Sequence, residues 1–440
     1  MFQRKLIAAL SVIALLAVTA GVGHASLSRV EGMGLSVPTL SQLTDDYANI
    51  YTFPASVVRQ NNLVLAEVGN NPGGGVNSVD TEDQSYTLIR NFPRFGVLSV
   101  QMKQSAQNLY NASGNANNEW FDLIWGKAFT KMDFAVRLDV TNSSYEEDFN
   151  FGTPGHYEAK GIDFSFSPYP FGAFFSDAIV GTGVEVNTMG ITPSISLHMN
   201  NDNRLDLAAT YRTYNLDRST SGAAFPTPQQ KWEDGGNASY AINARYFMNK
   251  SAASQWYLAG WYQNDDLSWE VSGYTPTART ADETYKSFGL GISNNMRVND
   301  NNLLIWGLEV GQMKHEYSRG DNNDNVVSGD TKEWDQKATM LPVIFAAVET
   351  QATNWLKLRI GGNNTIMRQE NKFSDFDAPT GSYTEKYTFT NFDLSLGAGI
   401  RWNNLDIDMT LNEEFPLSGG YILSGNEATP FNRVSATYHF

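Results

Sequence analysis

The chain has 440 residues, 41% of them hydrophobic and 12% aromatic, with a formal net charge of −16 and no cysteine. That length allows one large barrel or roughly two or three soluble domains, and the negative mean hydropathy excludes a bundle of membrane helices. The acidic balance argues against nucleic acid, whose phosphates would repel it, and the lack of cysteine excludes a disulfide framework.

Residues 1–25 read as a secretory signal. Arg4 and Lys5 supply the positive start, an apolar core comes next, and Gly23, His24 and Ala25 offer the small residues that precede cleavage. The competing reading is a retained anchor.

Residues 26–56 differ from the remainder of the chain, because they lack period-two alternation. They carry Gly32-Met33-Gly34, then Asp45 and Asp46 with Tyr47, Asn49 and Ile50, then Phe53-Pro54-Ala55. The glycines permit tight backbone paths, and Pro54 opposes a central strand. Leu35, Leu40, Leu43, Tyr47, Ile50, Tyr51 and Phe53 are more apolar groups than a disordered tail carries. A compact, irregular segment seated inside a barrel is expected. The Gly-Met-Gly element, the acidic pair, Asn49 before an aromatic stretch and Pro54-Ala55 ahead of the first strand resemble the amino-terminal hatch of the FadL-type family. Those proteins carry fatty acids and other hydrophobic substrates across the outer membrane. Phe53 stands where that family has Asn. The resemblance implies a hatch built from Gly32, Gly34, Asp45, Asp46, Tyr47, Asn49, Ile50, Phe53 and Pro54.

Residues 57–440 read as strands and turns. Phe134, Val136, Leu138 and Val140 alternate with Asp133, Ala135, Arg137 and Asp139. The same two-sidedness recurs at 162–167, 205–212, 392–402 and 405–412, and a helix could not keep it on one side. Short polar links at 200–203, 249–251, 299–302, 350–353 and 403–404 alternate with long ones at 105–118, 143–156, 217–235, 268–283, 318–333, 371–383 and 416–430. Outer-membrane barrels sort loop length by end in this way, whereas a soluble sandwich has no reason to. The expected fold is an all-β, antiparallel transmembrane β-barrel of about 14–16 strands with an amino-terminal hatch. Counting segments favours about 16, and the family resemblance favours 14. Pro342 is a candidate kink, since proline breaks a ladder bond. Trp355 and Trp402, beside short turns, are candidates for an interfacial aromatic girdle.

The faces assigned to the lumen carry Asp133, Arg137, Asp139, Asp163, Asp206, Arg212, Lys357, Arg359, Asp393, Arg401, Asp406, Asp408 and Arg433. Such charges set pore selectivity or pair across strands and stiffen the wall. Beyond His24, the histidines His156, His198, His315 and His439 are scattered without ligand spacing. Ser194 and Ser196 near His198 are the weak case for a hydrolase. Asp321-Asn322-Asn323-Asp324-Asn325 lacks the glycine and terminal glutamate of a calcium loop. Gly73-Gly74-Gly75 opens no helix and makes no phosphate cradle. No metal, cofactor or catalytic set is expected.

The chain closes on a strand whose Val434, Ala436, Tyr438 and Phe440 share a face. This resembles the terminal insertion signal of Gram-negative outer-membrane barrels, with Tyr438 and Phe440 as its aromatic marks. The expected function is passive uptake of small or hydrophobic molecules through the outer membrane. The alternatives are a general diffusion porin with an open polar lumen and a non-transporting barrel used for anchoring or secretion. The expected partners are outer-membrane lipid and lipopolysaccharide, the barrel-insertion machinery and hydrophobic small molecules.

Overall fold

The computed structural model describes residues 26–35, 43, 46–60, 62–70, 82–105, 118–146, 183–199, 203–219, 231–234, 236–251, 253–266, 268–272, 279–321, 332–375, 383–411 and 431–440. Residues 1–25 read as a signal, Asp45, residues 162–167 read as a strand with Asp163, the Gly73-Gly74-Gly75 run, His156 and Asn322 to Asn325 lie outside the described residues.

The first strands are β1 Leu63–Asn70, β2 Glu82–Phe92, β3 Gly96–Ser105, β4 Asn118–Ala128, β5 Met132–Glu146 and β6 Gly183–His198. Then come β7 Arg204–Ser219, β8 Lys231–Asp234, β9 Ala238–Ser251, β10 Ser254–Asp266, β11 Trp269–Ser272 and β12 Arg279–Asn299. The last are β13 Asn302–Asp321, β14 Lys332–Gln351, β15 Leu356–Asp375, β16 Tyr383–Trp402, β17 Leu405–Leu411 and β18 Phe431–His439. Every ladder is antiparallel. The short β8 and β11 pair with each other and continue the paths of β9 and β10, so the wall is 16 strands around. Closure comes from β1 against β18, with Leu63 opposite His439 and Gly69 opposite Arg433. Among the described residues the ladder therefore closes on itself, and around that ring the backbone donors and acceptors are paired strand to strand. No helix among the described residues is long and apolar enough to cross a membrane.

Side-chain alternation sorts the two faces. On β13, Leu304, Trp306, Leu308 and Val310 point outward, with Ile305, Gly307 and Glu309 buried between them. On β14 the outward set is Val348, Ala346, Ile344 and Leu341. Leu308 is 42% exposed and Ile344 56%, so the barrel presents large apolar groups all around its outside. Such a band fits lipid hydrocarbon. Trp355 and Trp402 are exposed beside the short turns. The turn Asn403-Asn404 joins Trp402 to its partner Leu405 with a positive φ at Asn403, as a two-residue hairpin requires.

Two expectations change. Strands β12 to β16 run 20 or 21 residues, well past the roughly 9–11 that cross a bilayer, into stretches such as 318–321 and 371–375 read from sequence as loops. Those ends are mostly polar in sequence, and so show little alternation of hydrophobicity. The turn placed at 249–251 also begins later, because β9 continues through Ser251. At Pro342 the ladders on both sides of β14 slip, between Glu309 and Gly311 and between Leu341 and Val343. The proline forms a bulge there, as its missing N–H favours.

In lipid, Leu308→Arg is expected to destabilise the folded barrel by about 2–4 kcal/mol, and Gln312→Arg, beyond the apolar band, by about 0–1 kcal/mol. Reversible urea unfolding in vesicles measures both, and equal losses would place the band elsewhere.

Candidate functional site

The inside of the barrel is occupied by the segment ahead of the first strand. Its described residues form a helix, α1 (Leu27–Glu31), and two 3-10 turns, Tyr47–Tyr51 and Pro54–Arg59. Ser26 caps α1 by accepting the Arg29 amide on its hydroxyl, and Pro54 takes the first position of its turn, where its missing N–H is no loss. The second turn runs past residue 56 to Arg59, and its Val57 is fully buried.

Around α1 the segment meets β14 to β18. Ser26 Oγ donates to Asp408 Oδ2 at 2.9 Å, and Thr410 donates to the Ser28 carbonyl at 2.9 Å. Ser28 and Ser435 are hydrogen-bonded through their hydroxyls. Arg29 bridges Asp46 at 2.6 Å and Glu349 at 2.7 Å, and Glu349 in turn holds Arg359, which reaches Asp408 at 2.7 Å. Arg433 holds Glu31 at 2.9 Å. Glycines allow this close approach. A Cβ on Gly397 would stand 2.9 Å from the Gly32 Cα, and one on Gly361 only 1.9 Å from the Met33 carbonyl. Gly34 adopts φ +69°, and its carbonyl accepts from Asn363 at 3.1 Å.

The later part of the segment meets the opposite wall. The Tyr51 hydroxyl pairs with Thr87 at 2.9 Å, and its carbonyl accepts from Arg137 at 2.7 Å. Arg59 reaches Asp133 at 3.3 Å and Ser196 at 3.0 Å. The Arg245 guanidinium stacks 4.4 Å from the Phe53 ring. Tyr47 is buried beside Glu67. Burial first, and then that carboxylate, pushes its phenol well above the ordinary value, so it remains a neutral donor.

Among the residues assigned to the lumen, Asp133, Arg137, Asp139, Asp206, Arg212, Arg359, Asp408 and Arg433 are buried, and Lys357, Arg401 and Asp406 half-buried. They form clusters. Asp122, Arg137, Asp139 and Arg212 make one, joined by contacts of 2.6, 3.9 and 2.7 Å. Asp206 gathers Arg204, Arg245 and Arg59 at 3.0, 2.9 and 3.8 Å. Arg401 and Asp406 pair at 2.7 Å near the Trp402 turn, with His439 3.5 Å from Asp406. Asp393 lies apart and exposed. His198 contacts Asp133 at 3.0 Å, while the Ser194 and Ser196 hydroxyls donate to the Leu207 carbonyl and to Asp206. No described cluster of His, Cys, Asp or Glu has the spacing to hold a metal.

The inward face also carries apolar patches, which the charges assigned from sequence did not reveal. Val30, Met33, Leu35 and Leu43 pack with Phe247, Tyr257, Trp261, Met313, Met340 and Phe345 on one wall. Tyr47, Ile50, Ala55 and Val57 pack with Leu63, Leu65, Ile89, Val97 and Ile124 on the other. On β14 both faces are apolar, because the inner one faces this segment rather than water. Sequence reading also missed Arg29, Glu31, Arg59, Asp122, Arg245 and Glu349. Asp122 and Arg245 share faces with other polar groups on their strands, which was the available signal, whereas Glu349 stands on the otherwise apolar inner face of β14. A break at Pro193 was missed too: the β6–β7 ladder pairs Ile191 and Ser194 but nothing between them, and Thr192 bonds Thr210 by hydroxyls at 2.9 Å.

A solvent-open pocket lies beside α1, toward the short turns, lined by Arg29, Lys357, Arg359, Arg401, Asp406 and Asp408. A much smaller one lies toward the long loops, lined by Asp265, Ser287, Met313, His315, Gln336 and Ala338.

No family model matches the chain, and no curated protein matches it in sequence. Among solved structures it is similar to a FadL homologue of Pseudomonas aeruginosa, at 11% identity and TM-score 0.42 over 95% of this chain and 99% of that one. It is similar to the toluene transporter TodX of Pseudomonas putida, at 8% identity and TM-score 0.37 over 89% and 91%. It is also similar to the ferric-catecholate import receptor Fiu of E. coli, at 9% identity and TM-score 0.35 over 87% and 82%.

Gly361→Leu is expected to unseat α1 without opening the wall. In the parent protein Ser28→Cys should resist a water-soluble maleimide, and adding Gly361→Leu should make it react at least tenfold faster, about 1.4 kcal/mol of lost protection. Unchanged labelling would show that α1 is held without this contact.

Proposed function

We propose that this chain is an outer-membrane channel for passive uptake of small hydrophobic molecules, with residues 26–60 as its hatch. The observation that carries the reading is the double apolar packing of that segment. Its greasy side chains meet apolar wall patches on opposite sides of the lumen, and ion pairs bind it between them. A water-filled porin has no use for Phe247, Trp261, Met313 and Phe345 on its inner face, since water would wet them at a cost. An apolar solute could replace the segment's side chains there. The bulge at Pro342 and the ladder break at Pro193 interrupt cross-strand pairing, and they suit lateral passage toward lipid. Acidic residues on the loops favour no substrate in this scheme.

The outward apolar band supports a bilayer location, the long-loop end is read as external and the short-turn end as periplasmic. Tyr438 and Phe440 serve as the insertion signal, and residues 1–25 as the export signal. Nothing in the described residues assembles a catalytic set, and the reading needs none.

Planar-bilayer recording tests the hatch. The parent chain is expected to be electrically quiet, and deletion of residues 26–56 to give steady open channels. Vesicles bearing the parent chain should take up labelled hexadecanoate faster than empty vesicles while excluding sucrose. A parent chain that conducts steadily and admits sucrose would make it a general porin.

A further inference from the structure

The outer wall carries a feature that the channel reading does not use. Lys286 of β12 lies directly opposite Lys314 of β13, and Lys314 directly opposite Lys337 of β14. Lys337 faces Glu370 of β15, and Glu370 faces Lys386 of β16. All five point outward. One register row thus places four lysines across five adjacent strands, and three of them are immediate neighbours. Like charges directly opposite on a sheet are destabilising, and neighbouring strands are only about 4.8 Å apart.

The flanking outward rows only partly neutralise it. On the long-loop side stand Glu316, Asp335 and Lys372, and on the short-turn side Arg368. Glu316 takes Lys286 at 3.5 Å and also pairs with Lys314, which reaches Asp335 at 3.6 Å. Glu370 takes Lys372 at 3.6 Å and Lys386 at 3.1 Å. Lys337 and Arg368 pair with no carboxylate among the described residues. Six cations therefore face three carboxylates, on a protein whose overall charge is −16. Asp266 of β10, opposite Thr284, adds one carboxylate at the row's edge, and farther round the wall the comparable outward positions hold neutral groups such as Asn142 and Asn215.

Position selects the partner. The row begins where the apolar band ends: Leu290, Val310, Leu341 and Ile366 lie just below it, toward the short turns. A ligand that fits must be anionic at one end and greasy at the other, with its charge at the level of the outer leaflet's headgroups. We propose that β12 to β16 bind lipopolysaccharide, its lipid phosphates on the lysine row and its acyl chains on the band below. The proposal rests on the outer-membrane reading above, with the long loops outside.

The test uses the full chain in neutral phosphatidylcholine vesicles, alone, with lipopolysaccharide, or with phosphatidylglycerol at equal charge. Lipopolysaccharide retained by the purified barrel is counted by native mass spectrometry, and its affinity is measured by titration. The parent chain should bind it and prefer it to phosphatidylglycerol. Lys286→Gln, Lys314→Gln, Lys337→Gln and Lys386→Gln together should weaken binding by about fivefold per lysine, on the order of a hundredfold or more in total. The four Lys→Arg changes should keep it, and heat-modifiable gel mobility verifies that each variant is folded. Equal binding by parent and Gln variant, or equal preference for phosphatidylglycerol, overturns the site. Should the Gln variant fail to fold, the parent's retained lipid decides, and a parent that retains none overturns it. A barrel that inserts but ignores lipopolysaccharide leaves the channel reading intact, whereas a chain that inserts into no vesicle overturns both.

Discussion

Closure of the ladder is the constraint on which the whole structure depends. A backbone group that faces hydrocarbon has no water to bond, so every N–H and C=O of the wall needs a strand beside it. The pairing of β1 with β18 satisfies the last row, from Leu63 with His439 to Gly69 with Arg433. It explains why apolar residues can be turned outward there without exposing an edge. With the outside committed to grease, the globular core that a soluble protein would build between layers has to be found elsewhere.

It is found inside, against the amino-terminal segment. Met33, Leu35, Leu43, Ile50 and Phe53 are fully buried there, each side chain contributing about 1.5–3 kcal/mol relative to exposure. The charged groups do something different. Buried ion pairs add little net stability, because desolvation offsets the attraction, but a charge left alone is strongly unfavourable. Arg29, Glu31 and Arg59 therefore fix where the segment sits: each has its partners in one place on the wall. Hydrophobic burial supplies the affinity and the ion pairs the register.

The parts legible in the sequence were those set by period-two alternation. Residues 133–140, 205–212 and 396–402 could be assigned to faces because one face was apolar and the other was not. The same logic failed where its premise failed. On β14, Met340, Val343, Phe345 and Ala347 point inward, and Leu341, Ile344 and Ala346 outward, so no alternation marks either face. The far ends of β12 to β16 failed in the opposite sense, being mostly polar in sequence with only scattered aromatics. The irregular segment was recognisable by its glycines and aromatics, but its partners were not. A contact such as Ser26 with Asp408 spans 382 positions, and nothing local at either end announces it.

The division of partners inside the barrel bears on whether the segment can move. Most wall charges keep a wall partner of their own: Arg359 has Asp408, Arg137 has Asp122, Arg212 has Asp139 and Arg245 has Asp206. Withdrawing the segment would take Arg29 from Glu349 and Arg59 from Asp133, yet it would leave Glu349 with Arg359 and Asp206 with Arg204 and Arg245. The wall's polar network is thus largely self-sufficient. The apolar patches are not, since Phe247, Trp261 and Phe345 would meet water. Electrostatics therefore permits displacement while hydrophobic hydration opposes it, and the opposition falls away only when something equally apolar takes the vacated surface. Under the channel function proposed above, the contacts that shut the lumen to water and ions are the ones through which an apolar solute would open it.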